Sequence, residues 1–115
     1  MGAGGSSIAK CTNDFELVIR ATKEMEWLLE TYFDAPTEHD CGLHYKITQA
    51  RYKGRPLKDE LIRKMRYLVT IRNKLVHERG FNAIPDRKAF KESFAQVEEE
   101  LHAMVPQSMS TCIVS

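Results

Sequence analysis

Apolar side chains return every third or fourth residue along three long stretches of this chain, and nowhere do they alternate one by one. Residues three or four apart share a face of an α-helix, whereas residues two apart share a face of a strand, so this period admits helices and leaves a sheet without a core face. Phe90, Phe94, Val97, Leu101 and Met104 make the cleanest stripe. Phe15, Val18, Met25, Leu29 and Tyr32 make another, with Leu28 beside them and Thr22 filling the one gap. Leu61, Ile62, Met65, Leu68, Val69, Leu75 and Val76 make the third.

Capping signals set the expected boundaries. Asn13 followed three residues later by Glu16 resembles a capping box, with Thr12 an equally good N-cap, so the first helix is expected from Asn13 to about Phe33. The segment 34 to 42 contains Pro36 and Gly42 and has no period, which reads as a loop. A shorter second helix is expected over about Leu43 to Tyr52, with Leu43, Ile47 and Ala50 on one side and Gly54-Arg55-Pro56 breaking it. The third is expected from about Lys58 to Arg79 with Gly80 as its C-terminal cap, a spine roughly 33 Å long at about 1.5 Å per residue. Asp86 is the expected N-cap of the fourth helix, which Pro106 stops.

The expected fold is therefore all-α, a four-helix bundle over residues 13 to 105 with a shortened second helix. The Gly/Ser-rich arm 1 to 12 and the tail 106 to 115 are expected to be flexible. A length of 115 residues suits one core. With 43% hydrophobic and 29% charged residues, the composition is that of a soluble globular protein, not of a disordered one. No apolar run is long enough to span a bilayer, and the first ten residues lack the apolar core of a secretory signal. Cys11, Cys41 and Cys112 are far apart and odd in number, which argues against a disulfide framework and for a reducing, cytoplasmic setting.

Formal net charge is +1, but the distribution is uneven. Residues 1 to 45 hold three Lys/Arg against eight Asp/Glu, residues 46 to 79 eleven against three, and residues 80 to 115 three against five. A basic middle third between acidic flanks suits a phosphate-bearing partner. It equally suits a solvated face whose cations pair with the first and last helices.

Within the basic third, Arg72 continues the spacing of Leu61, Met65, Leu68 and Leu75, where the pattern calls for an apolar side chain. A polar group there needs a partner or a purpose. Arg72 and His77 are five residues apart, about 140° around a helix, whereas Asn73 and His77 share a face. A cleft between two copies of this helix could be lined by all three from both sides. Metal-free RNA cleavage needs a base for the 2′-hydroxyl, an acid for the leaving 5′-oxygen and a cation for the crowded phosphate. Histidine suits the proton work and arginine the phosphate oxygens. One histidine holds one proton role at a time, so a second chain would supply the other.

The run Ile71-Arg72-Asn73-Lys74-Leu75-Val76-His77-Glu78, late in a long helix of an expected bundle, resembles the HEPN superfamily. That superfamily is marked by an Arg, a following polar residue and a His four to six residues after the Arg, and the resemblance covers roughly residues 13 to 105. It implies a homodimer across the motif helices and, in many members, a metal-independent endoribonuclease that leaves a cyclic phosphate, with Arg72 and His77 catalytic and Asn73 orienting them. Toxin members silenced by nucleotidylation carry a Tyr two residues after the His, where this chain has Arg79. No cofactor is implied. The competing expectations are a non-catalytic module binding nucleic acid or a protein partner, and a scaffold in which Asn73 and His77 bond neighbouring helices while Arg72 pairs with the acidic first helix.

Both ends carry lipidation patterns. Met1-Gly2-Ala3-Gly4-Gly5-Ser6 matches N-myristoylation at Gly2, and Cys112-Ile113-Val114-Ser115 has the form that is farnesylated at Cys112. Two lipids anchor stably where one binds marginally, and Cys11 offers a palmitoylation site, so association with a membrane surface is a further expectation. His39, Asp40, Cys41 and His44 supply metal-ligand types without a recognised spacing, and no metal site is expected there. Tyr32, Phe90 and Phe94 fall at core spacing and are expected inside rather than on a base-stacking platform.

Overall fold

A computed structural model describes residues 13 to 38 and 40 to 105. Four helices appear where the period places them: α1 (Asp14–Tyr32), α2 (Leu43–Gln49), α3 (Asp59–His77) and α4 (Arg87–Met104). Two short strands, β1 (Arg51–Tyr52) and β2 (Arg55–Pro56), lie between α2 and α3. The long α3 packs against each of the other helices, and α1 also meets α2 and α4, which closes the bundle.

The N-caps act as their residue types require. Asn13 accepts a hydrogen bond from the Glu16 N–H at 3.0 Å, and Asp86 accepts one from the Ala89 N–H at 2.9 Å. Each satisfies a backbone donor that the first turn leaves orphaned. Asp14 then joins the starts of α1 and α4, because its carboxylate accepts from the Ile84 N–H at 2.9 Å and pairs with Arg87. At the end of α1, Asp34 turns left-handed at φ 60°, which lets the Ala35 N–H return to the Leu29 carbonyl at 3.2 Å.

Leu17, Ala21, Met25 and Leu29 of α1, Met65, Leu68 and Val69 of α3, and Phe90, Val97 and Leu101 of α4 are fully buried in one continuous core. Each large apolar side chain removed from water stabilises the fold by about 1.5–3 kcal/mol, so three stripes suffice to hold the helices together. Thr22 fills the gap in the α1 stripe by turning its hydroxyl back to the Val18 carbonyl at 2.8 Å. Phe90 and Phe94 are buried, and Tyr32 is half-buried with its ring edge-on to Trp27.

Four expectations need correction. Phe15 and Val76 are exposed, while Leu17 and Ile71, outside the expected stripes, are buried. The second helix ends at Gln49, not near Tyr52, because Ala50 is extended and Arg51 and Tyr52 pair antiparallel with Pro56 and Arg55. Lys53 and Gly54 make the two-residue turn of this hairpin with φ values of 54° and 80°, the left-handed pair that matches strand twist. The third helix ends at His77 with Glu78 extended, so Gly80 is not its left-handed cap. Phe81 accounts for the early stop: its N–H bonds the Glu78 carbonyl, and its ring packs on the core beneath the Lys74 ammonium.

Candidate functional site

Arg72 leaves α3 half-buried, on the side facing α1 and the loop that enters α2. A cleft of about 390 Å³ opens there, lined by Arg72, by Thr22, Lys23 and Glu26 of α1, and by Cys41 and Gly42. The Arg72 guanidinium donates from Nη1 to the Asn73 Oδ1 at 2.9 Å. Among the described residues it forms no ion pair, although the Glu26 carboxylate borders the same cleft. Arginine has no lone pair to accept with, and most of its five N–H groups remain available to an anion's oxygens.

The structure thus brings Arg72 and Asn73 together and leaves His77 apart. His77 is the last residue of α3 and is exposed, consistent with the 140° that separates it from Arg72 around the helix. Among the described residues its ring has no hydrogen-bond partner. A polar clamp between packed helices would have engaged Asn73 and His77 with neighbouring elements. Within the described chain, Asn73 serves only its neighbour and His77 serves nothing.

The basic third divides into two groups. Lys46 and Lys64 pair with the acidic helices, Lys46 from a buried position and Lys64 from a partly solvated one: Lys46 Nζ lies 2.6 Å from Glu26 and also pairs with Glu30, and Lys64 reaches Glu100 at 3.3 Å. Arg66 crosses to α2, where it donates to Thr48 Oγ1 at 2.7 Å and lies 3.3 Å from His44 Nδ1. Burial, with the Arg66 charge adding to it, holds the His44 imidazole below its ordinary pKa. Arg63, Arg72, Lys74 and Arg79, all on or just after α3, form no ion pair among the described residues.

Lys46 is the side chain with structural weight that the apolar stripes passed over. It lies three residues after Leu43 and four before Ala50, on the inward face of α2, and is 2% exposed. Burial pulls its pKa down, but hydrogen bonds and charge from Glu26 and Glu30 outweigh that and leave it raised. Its interruption of an inward stripe was the same signal that singled out Arg72.

Of the loop residues with metal-ligand character, Asp40 is exposed, Cys41 contacts Glu38 at 3.9 Å, and His44 is engaged by Arg66. They form no ligand group among the described residues. His39 and the lipidation candidates Gly2, Cys11 and Cys112 lie outside the described residues. No described helix is long and apolar enough to cross a membrane. No protein-family model matches the chain, and no curated protein or solved structure matches it either.

Proposed function

We propose that this chain is a HEPN-like RNA-processing domain that cleaves RNA without a metal ion, two copies meeting along the C-terminal half of α3. The observation that carries this reading is a half-buried arginine oriented by an amide in a cleft, with no carboxylate paired to it. An uncompensated guanidinium at a cleft is suited to phosphate oxygens. His77, exposed on the same last turns, is available to a substrate or to a second chain. In the proposed reaction the 2′-hydroxyl loses its proton to one imidazole and its oxygen attacks the adjacent phosphorus. The 5′-oxygen then departs with a proton from the other imidazole, leaving a 2′,3′-cyclic phosphate. Arg72 neutralises the phosphate oxygens as charge builds on them.

Lys74 and Arg79, on and just past the last turns that carry His77, form no ion pair among the described residues and would hold the flanking backbone. A cleavage assay on purified full-length protein, with and without EDTA and beside His77→Ala, tests the proposal. Cleavage that survives EDTA, ends in a cyclic phosphate and disappears in His77→Ala is the expected result. Absence of cleavage over RNAs of varied sequence and structure would overturn the enzyme and leave a non-catalytic interaction module, membrane-tethered where Gly2 and Cys112 carry lipids.

A further inference from the structure

We propose that Glu24, Glu98 and His102 form a binding site for a divalent transition-metal ion of the zinc class, joining α1 to α4. Glu98 and His102 are four residues apart on α4 and so project from one face, with His102 Nε2 3.9 Å from Glu98 Oε2. Glu24 brings a second carboxylate from α1, and one ligand atom from each of the three lies within 4.8 Å of the others. Three ligands around a tetrahedral zinc ion at about 2.0–2.2 Å sit roughly 3.4 Å apart. Side-chain rotation closes the remaining gap, since His102 is exposed and both glutamates are half-exposed.

Two features mark this group as more than an acidic surface. The imidazole is a nitrogen donor that favours zinc, copper or nickel over calcium or magnesium, which take oxygen ligands. Two carboxylates also face each other across a helix junction, and among the described residues no lysine or arginine pairs with either. A dication relieves that repulsion and leaves a neutral complex with a coordination position open to water. Glu24 is two residues from Glu26, about 200° around α1, so the ion would sit on the side away from the Arg72 cleft. The site is therefore independent of RNA cleavage.

Calorimetric titration of zinc chloride into EDTA-stripped, full-length protein tests the site, with Glu98→Gln, His102→Asn and Glu24→Gln alongside. One ion per chain is expected, together with a rise in melting temperature on adding zinc. Each substitution should weaken binding at least about tenfold, as losing a ligand costs no less than losing its outer-shell support. Without zinc the variants should melt close to wild type, because a partly exposed pair stabilises little. Variants on two helices keep the test decisive if one of them misfolds. No zinc binding by wild type up to about millimolar concentration, or undiminished binding in folded variants from both helices, would overturn the proposal.

Discussion

Replacing Lys46 by methionine removes a buried charge while keeping most of the side chain's apolar stem. Lys46 is 2% exposed, and its ammonium serves the Glu26 and Glu30 carboxylates together. Two charge-assisted hydrogen bonds contribute on the order of 1.5–3 kcal/mol each before compensation. Compensation is substantial, because the glutamate side chains are 35% and 24% exposed and regain water when the ammonium leaves. Methionine also avoids the cost of burying a cation. The expected net loss is about 2 kcal/mol, roughly a 10 °C fall in melting temperature for a domain of this size.

Urea unfolding followed by circular dichroism measures the loss, and pH checks its origin. Because the folded-state pKa of Lys46 is raised, the contribution is fully present below the unfolded value of 10.5 and is lost as pH rises through the higher folded value. The gap between wild type and Lys46→Met should therefore stay constant from about pH 6 to 9 and narrow above 10.5. Adding Glu26→Gln and Glu30→Gln to Lys46→Met should recover most of the loss, since the damage is two carboxylates left facing each other. A single variant within about 0.5 kcal/mol of wild type, or a triple variant no better than the single, would refute this account of the α1–α2 contact.

Other perturbations have narrower outcomes. Asp86→Ala removes the cap on the Ala89 N–H and should cost about 1 kcal/mol in chemical denaturation. Gly54→Ala should cost about 1 kcal/mol through its φ of 80° alone, because no atom lies within 4 Å of the added Cβ, and Gly54→Asn should cost less. His44 has a depressed folded-state pKa, so its stabilising contribution is present above the unfolded value of 6.5 and is lost as pH falls below it. Wild type should then lose stability relative to His44→Asn as pH drops through 6.5, read as melting temperature against pH.

The helices and most of the core were legible because burial imposes a 3.6-residue period and N-caps impose residue types, both written locally in the chain. The errors fell where tertiary contacts decide. Nothing local says that α3 must stop at His77, since the stop comes from Phe81 folding back on the core and under Lys74. The hairpin at residues 51 to 56 was hidden because two-residue strands are too short to alternate, though Lys53-Gly54 carries its turn signal. Arg72 was legible as a break in an apolar stripe, but its partner was not. Whether the guanidinium met Glu26 or Asn73 depends on side-chain packing between α1 and α3, which spacing cannot resolve.

The separation of Arg72 from His77 has a kinetic consequence if cleavage occurs in a shared cleft. In a two-fold symmetric dimer each chain presents the same surface, so both copies of His77 would flank one phosphate and neither proton role could be filled from one chain alone. A chain carrying His77→Ala then disables any dimer it enters. With wild-type protein mixed and re-equilibrated with a threefold excess of His77→Ala, only about a quarter of the wild-type chains would find a wild-type partner. Activity per wild-type chain should therefore fall to about a quarter, and it should recover as the mixture is diluted with fresh wild type. A site complete within one chain would leave activity per wild-type chain flat across the series. That result would leave the exposed imidazole of one chain to fill both proton roles, which a single ring can do only in sequence.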